Sequence, residues 1–214
     1  MKTKFLGFSL LLLSLYSCNS NGQTKKLSTE PKPGKAIAVF AEGCFWCSEH
    51  VFEAIAGVDE AVSGYTGGTT KNPSYEQVGG EQTGHAESVL VYYDPKVVSY
   101  SQLVDAFFAS QDPTTPNQQG PDRGPSYRSI AFYRNEAEKS IIKAKISELE
   151  RKKVFSNPIV TEIKPLSDFY KAEDYHQNYI KLHSNGENPY VTNVSIPRYE
   201  LFKKTFKGKL KAKS

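Results

Sequence analysis

Ala36-Ile37-Ala38-Val39-Phe40-Ala41-Glu42-Gly43-Cys44-Phe45-Trp46-Cys47 joins two kinds of local order. Residues 36–41 are a continuous apolar run, the mark of a strand buried on both faces. Residues 44–55 read as a helix, with Phe45, Val51, Phe52 and Ile55 roughly on one side. Gly43 permits the tight turn between them. The two cysteines therefore stand at a strand-to-helix junction. The helix dipole and the unpaired N–H groups of the first turn favour an anion there, so a lowered thiol pKa is expected. Only a thiolate is a competent nucleophile, which makes Cys44 the candidate.

Outward from that junction, residues 58–65 read as a strand ending at Gly67-Gly68, and residues 69–84 as a loop rich in Gly, Thr and Asn. Residues 87–93 alternate as a strand, with Glu87, Val89, Val91 and Tyr93 on one face. Ser99 opens a helix with capping-box spacing to Gln102, and that helix stops before Pro113. Residues 112–126 carry four prolines and two glycines and read as an ordered or functional loop. A strand at 129–133 precedes a long helix capped by Asn135. Glu138 stands at its third position, and Ile142, Ile146 and Leu149 form its apolar stripe. Residues 158–164 read as a strand. Residues 168–183 read as largely helical, with Tyr175, Tyr179 and Leu182 at spacings of four and three. The order is β-α-β-β-α-β-α-β-α. Its simplest packing is an α+β two-layer sandwich around a split β-α-β, ferredoxin-like core.

The chain has 214 residues, of which 38% are apolar, 12% aromatic and 23% charged. That composition supports a real core and excludes a disordered chain. No apolar run approaches the ~20 residues of a membrane span, which excludes a multi-span membrane protein. Three cysteines exclude a disulfide scaffold. The net charge is +4, but six lysines follow Glu200 and two more lie in the first 17 residues; removing these eight leaves −4 for the body. A mildly acidic body does not support a nucleic-acid surface.

Lys2 and Lys4 precede an apolar stretch of eleven residues, 5–15. That is a signal-peptide core length and too short to span a bilayer. It ends in Leu15-Tyr16-Ser17-Cys18, which resembles a bacterial lipoprotein signal, where a cysteine after a small residue is lipidated upon cleavage. An ordinary signal peptide cut nearby is the alternative. Residues 19–35 are polar and contain Pro and Gly, as a tether would. The expected organisation is a signal peptide over 1–17, a polar tether over 18–35, a catalytic domain over 36–200 and a basic C-terminal tail over 201–214. The mature protein is expected outside the cytoplasm, anchored to a membrane through lipid on Cys18. Cys44 and Cys47 are then the usable thiols.

A C-x-x-C pair has several readings. One is a thioredoxin-like redox pair. Another is half of a zinc site, but there is no second Cys pair, and His50, His85, His176 and His183 show no ligand spacing. A third is two inert buried cysteines, which the helix-start location weakens. Phe45 and Trp46 flank Cys44, so they form either a small apolar pocket or part of the core.

Gly43-Cys44-Phe45-Trp46 resembles the active-site signature of the A-type peptide methionine sulfoxide reductases. The resemblance continues through Gly64-Tyr65-Thr66-Gly67-Gly68, Tyr75-Glu76-Gln77-Val78 and Gly84-His85-Ala86-Glu87. Asp112-Pro113-Thr114-Thr115, Gln119-Gly120-Pro121-Asp122 and Tyr127-Arg128-Ser129 follow, then Ala172-Glu173-Asp174-Tyr175-His176-Gln177. These motifs stand in family order over about residues 36–182. The resemblance implies that Cys44 is the nucleophile and that Phe45 and Trp46 cage the substrate methyl group. It implies Glu87 as the acid and Tyr75, Asp122 and Tyr127 as the polar groups around the sulfoxide oxygen. Gly43, His85 and His176 fall with the substrate-binding set. No metal, flavin or nucleotide is implied; the reductant would be an external thioredoxin or another dithiol.

The residue types suit that chemistry. A sulfoxide oxygen is a poor leaving group until it is protonated, so thiolate attack on sulfur needs an acid nearby. Two tyrosine hydroxyls can donate as charge develops on oxygen. Burial of Glu87 on the face of Val89 and Val91 is expected to raise its pKa and keep it protonated.

The chain departs from the family pattern in places. Cys47 stands where glycine often follows the Phe-Trp pair, the C-terminal segment lacks a resolving cysteine, and Ser126 precedes Tyr127 where glutamine is common. Cys47 is therefore expected to resolve the sulfenic acid. The expected protein is a lipid-anchored, monomeric reductase of methionine S-sulfoxide, free or in proteins, that repairs oxidised proteins. One rival is a thiol-disulfide oxidoreductase using Cys44 and Cys47. The other is a non-catalytic lipoprotein that binds peptides in an aromatic groove.

Overall fold

The computed structural model describes residues 24–212; residues 1–17 and Cys18 lie outside that range. A short strand, β1 (Lys25–Leu27), comes first. The apolar run forms β2 (Ala36–Glu42), and α1 (Phe45–Glu53) follows the Gly43 turn. Next come β3 (Val58–Thr66), α2 (Tyr75–Gly79), β4 (Ala86–Tyr93) and α3 (Tyr100–Ala109). A small hairpin, β5 (Gln118–Gln119) and β6 (Asp122–Arg123), leads to a 3-10 turn at Pro125–Tyr127. Then follow β7 (Ser129–Tyr133), α4 (Glu136–Arg151), β8 (Glu162–Pro165) and β9 (Phe169–Lys171). The last elements are α5 (Tyr179–Leu182), a π-helical turn at Val191–Ser195 and α6 (Ile196–Thr205).

Seven strands form one mixed sheet in the order β1-β9-β3-β4-β2-β7-β8. Its middle strands, β3-β4-β2-β7, are antiparallel at every pairing, and β7 pairs with β8 in parallel. β2 and β3 therefore run parallel with β4 between them, and α1 connects them. This is the expected split β-α-β core. Alternation explains why β2 is apolar throughout. Ala38 and Phe40 face the helices, whereas Ile37, Val39 and Ala41 join a second cluster with Leu90, Ile130 and Phe132. Phe40 stacks on Phe52 of α1 and Phe107 of α3, each with centroids 5.1 Å apart. Such pairs add about 0.5–1.5 kcal/mol beyond their buried area, and here they set α1 and α3 over the sheet.

The sequence reading and the structure part in four places. The loop at 69–84 contains α2, nucleated by a reciprocal capping box: Gln77 N–H donates to Ser74 Oγ, and Ser74 N–H to Gln77 Oε1. Residues 168–183 are not largely helical. Phe169 and Tyr170 instead add β9 to the open edge of β3, with Tyr170 opposite Tyr65. Gly64 allows that approach, since a Cβ there would lie 2.3 Å from the Tyr170 carbonyl oxygen. The supposed stripe is no core face, for Tyr175 and Leu182 are 58% and 68% exposed.

The polar tether is docked from Thr24 onward: β1 pairs with β9, and Thr24 Oγ1 donates to Pro73 O. The basic tail is also part of the fold. Its supposed start after Glu200 falls inside α6, and Phe202 turns inward with Phe206, the residue that ends the helix, the two rings stacking at 5.0 Å. The lysines stay at the surface of that segment, so its composition hid an i, i+4 aromatic pair. Beyond α6, Leu210 bridges to Ile55, and Ala56 N–H donates to Lys209 O.

Candidate active site

Cys44 is the N-cap of α1, and Cys47 lies within its first turn. Gly43 turns the chain into the helix at φ +90°, and a Cβ there would meet Gln119 Cβ at 2.4 Å. Both cysteines are free thiols, and their side chains hydrogen-bond each other. The expected lowering of the Cys44 pKa is overturned: burial pushes this thiol well up. Magnitudes explain the outcome. A helix dipole contributes about 0.3–2 kcal/mol, roughly one pKa unit, whereas burying an ionised group shifts it by up to ~3–5. Cys47 moves the other way, to about 6, through the hydrogen bond from the Cys44 thiol and then the charge of Arg198. Its sulfur also lies 3.2 Å from Ser195 Oγ, whose hydroxyl can donate to an anionic sulfur. The two thiols titrate as a pair whose negative charge rests on Cys47.

Glu87 sits near the start of β4, buried against the first turn of α1. The Phe45 N–H, one of the unpaired donors of that turn, donates to Glu87 Oε2 at 2.9 Å. That bond favours the carboxylate, but burial prevails and pushes Glu87 up to about 8. The carboxyl is thus neutral near pH 7. Burial also raises Tyr75 to about 12, Tyr127 further, and Asp122 above its ordinary value. Both tyrosines are therefore hydrogen-bond donors. Glu87 and Cys44 act electrostatically on both.

The aromatic residues are built from below. Phe45 is 1% exposed, its ring 4.9 Å from His176 and 6.5 Å from Tyr75. Trp46 stacks on Tyr179 of α5, with centroids 3.7 Å apart and planes 5° from parallel. Its Nε1–H donates to His176 Nδ1 at 3.0 Å, which leaves the imidazole proton on Nε2. Burial lowers His176 to about 4, so it remains a neutral acceptor at ordinary pH. Glu173 holds the other side, accepting from Tyr65 Oη at 2.9 Å and Tyr75 N–H at 3.0 Å. The Glu173–His176 turn thus orients Trp46, Tyr75 and the Phe45 neighbourhood together.

The structure brings together Cys44, Cys47, Glu87, Tyr75, Tyr127, Asp122, Phe45, Trp46 and His176. It does not bring His85 to them. His85 Nδ1 accepts from Gly68 N–H and Nε2 lies 2.7 Å from Thr70 O, so this ring pins the loop after β3. Gly43 serves the turn and offers no side chain to a substrate. Ser126 is occupied elsewhere: its N–H and Oγ donate to Glu81 at 2.8 and 2.7 Å, anchoring the turn that carries Tyr127.

Sequence reasoning missed Tyr190, Arg198 and Glu42. Tyr190 Oη donates to Asp122 Oδ2 at 2.5 Å and lies beside Cys44. Glu42 is fully buried and pairs with Arg198 Nη2 at 3.0 Å. One signal pointed that way: an acid closing a strand buried on both faces needs a cation beside it. Among the described residues, no three His, Cys, Asp or Glu side chains gather as a metal site would need.

Residues 36–210 match a family model described as peptide methionine sulfoxide reductase. The chain is 43% identical over 185 residues to peptide methionine sulfoxide reductase MsrA 1 of Rhodopirellula baltica, covering 86% of this chain and 94% of that protein. It is 54% identical over 151 residues to the MsrA of Methanosarcina acetivorans, covering 71% and 80%. Its fold is similar to reduced Mxr1 from Saccharomyces cerevisiae, at TM-score 0.67 and 36% identity over 74% of this chain and 92% of that one. Methionine sulfoxide reductase A of Corynebacterium diphtheriae gives TM-score 0.66 and 32% identity over 74% and 79%.

Proposed function

The chain belongs to the peptide methionine sulfoxide reductase family, and on that premise we propose how its own residues reduce methionine S-sulfoxide, free or in proteins. The activity is repair of oxidised methionine. Phe45 and Trp46 receive the substrate methyl group, and the Tyr75 and Tyr127 hydroxyls donate to the sulfoxide oxygen. The Cys44 sulfur attacks the substrate sulfur while its proton passes to the Cys47 thiolate. Glu87 gives its proton to the oxygen. The protonated oxygen passes from the substrate sulfur to the Cys44 sulfur as the substrate sulfur–oxygen bond and the transient sulfur–sulfur bond break, so methionine leaves and Cys44 becomes a sulfenic acid. The substrate sulfur gains the two electrons that Cys44 loses. Glu87, now ionised and the stronger base at about 8, recovers a proton from Cys47 at about 6.

Cys47 then attacks the Cys44 sulfenic sulfur. A disulfide forms, and the leaving hydroxide takes the Glu87 proton and departs as water. An external thioredoxin-like dithiol reopens the disulfide by exchange. No metal, flavin or nucleotide enters the scheme.

One observation carries this reading: a carboxyl that is neutral near pH 7 lies on the helix end that bears Cys44. Disulfide exchange alone has no use for such an acid or for two tyrosine donors, which sets aside the oxidoreductase rival. The test is turnover of a methionine sulfoxide peptide, each epimer separately, with dithiothreitol and then thioredoxin. Turnover of the S epimer with both reductants is expected; no turnover of it with either would overturn the reading.

Lipid attachment at Cys18 is part of the same proposal, with the body held at a membrane outside the cytoplasm. The support is the Leu15-Tyr16-Ser17-Cys18 sequence and the apolar stretch before it.

A further inference from the structure

Cys47 does not act alone in its corner of the site. Arg198 comes from α6 and is clamped by two other elements. Its Nε donates to Ser110 O at 2.6 Å, at the end of α3. Its Nη2 donates to Glu42 O at 2.9 Å and to Glu42 Oε1 at 3.0 Å, at the end of β2. Ser110 Oγ completes the clamp by donating to Glu42 Oε2 at 2.7 Å. The remaining nitrogen, Nη1, lies against the backbone just before Cys44: a Cβ on Gly43 would stand 3.7 Å from it. The guanidinium is thus immobilised on two carbonyls and the Glu42 carboxyl group, with Nη1 beside the Gly43 backbone that leads into Cys44.

The π-helical turn explains how one short segment reaches both thiols. Tyr190 and Ser195 are five residues apart, which a regular α-helix would separate by about 140° around its axis. Closure of the turn by i to i+5 bonds brings them towards one face, with Arg198 one turn further on. Tyr190 meets Cys44, and Ser195 meets Cys47.

We propose that Arg198, clamped by Glu42 and Ser110, is a positioning residue that keeps Cys47 anionic in both of its steps. In the first, Cys47 is the sulfur that attacks the Cys44 sulfenic acid. In the second, it is the sulfur that leaves when an external dithiol opens the disulfide. Exposure assigns that second role. Cys44 is 7% exposed and Cys47 2%, so an incoming thiolate attacks the Cys44 sulfur. The mixed disulfide then forms on Cys44, and the bonding pair goes to Cys47, whose stabilised thiolate leaves readily.

The groups acting on Cys47 come from every element around it. They are Cys44 on its own helix, Glu42 of β2, Glu87 of β4, Asp122 of β6, and Tyr190 and Arg198 from the C-terminal segment. Glu42, Glu87 and Asp122 are acids that oppose a second negative charge. Arg198 is the cation among them, so its removal should be felt as a change in the charge of Cys47.

This inference rests on the reading of Cys47 as resolver, and the test separates the two. The ionisation of Cys47 is followed by the ultraviolet thiolate absorbance of the reduced enzyme, titrated from pH 5 to 9. The variant is Glu42→Gln with Arg198→Met, because Arg198→Met alone leaves a buried carboxyl unpaired. In the wild type one thiolate should appear with a midpoint near pH 6, where Cys47 ionises. The double variant should move that midpoint up by about one pH unit or more, which leaves about fivefold less thiolate at pH 6. A merely structural role for Arg198 would leave the midpoint in place. A folded double variant with an unmoved midpoint overturns the role of Arg198. Cys47→Ser, run beside it, should accumulate sulfenic acid; normal turnover without accumulation overturns the resolving role, and the inference with it.

Discussion

Glu87 ionises at about 8, and Cys47 takes up a proton below about 6. The first chemical step needs the Glu87 proton and an anionic Cys47 to receive the Cys44 proton. Methionine release in a single turnover should therefore rise through about pH 6 and fall above about pH 8. Glu87→Gln keeps the shape but has no proton to give. A loss of about 10²–10⁴-fold in that step is expected, together with disappearance of the alkaline limb. Rapid-quench measurement of methionine release checks both; an unchanged rate would remove Glu87 from the acid role. At this scale the sequence was informative where a residue's neighbours in the chain set its environment. Glu87 stood on the strand face of Val89 and Val91, and that alternation together with the family resemblance set burial above a surface carboxylate. The Cys44 pKa could not, because it depends on burial and on Cys47, Glu87 and Tyr190 together. Arg198 was out of reach for a related reason: its partner Glu42 lies 156 positions away in the chain.

α6 and the π-helical turn before it carry the side chains that the cysteine pair leans on. The anchor of this element is Phe202, fully buried between Phe206 and Tyr199 with centroids 5.0 and 6.3 Å away. Phe202→Ala should destabilise the protein by about 3–5 kcal/mol, the usual result of emptying a buried aromatic site. It should also slow disulfide closure more than methionine release, because Ser195 and Arg198 ride on the same element. Denaturant titration and the two single-turnover rates report these effects. A stability loss below about 0.5 kcal/mol, the surface value, would return this segment to the status of a solvated tail. The central helices were legible because their caps and stripes are local: Ser99 with Gln102 and Asn135 with Glu138 both act as the sequence indicates. β9 and α6 were not. β9 exists because β3 offers an unpaired edge and a glycine at the crossing, and α6 is held by contacts such as Tyr199 on His50 of α1 and Thr205 on Ala109 of α3 that no local pattern announces.

The whole molecule is a split β-α-β sheet with its chemistry at the β2–α1 junction, and the C-terminal segment closes that junction from outside. Its four middle strands and two crossover helices followed from alternation, capping and glycine turns. β1 and β9 needed tertiary partners. β1 changes the picture of attachment as well. Thr24 is already docked, and the six chain steps that lead to it from Cys18 span at most about 20 Å. A lipid on Cys18 would hold the body close to the bilayer. Cys18→Ala should release the protein from membranes, as seen by fractionation, and leave activity on a soluble peptide intact; continued sedimentation with membranes would place the anchor elsewhere. The claim on which the whole account depends is that Cys44 takes the oxygen from the sulfoxide. It is tested by mixing reduced enzyme, without any external reductant, with one equivalent of a methionine sulfoxide peptide of defined epimer. The account predicts one equivalent of methionine peptide from the S epimer, none from the R epimer, and none from either with Cys44→Ser. Release by Cys44→Ser within tenfold of the wild-type rate would contradict it.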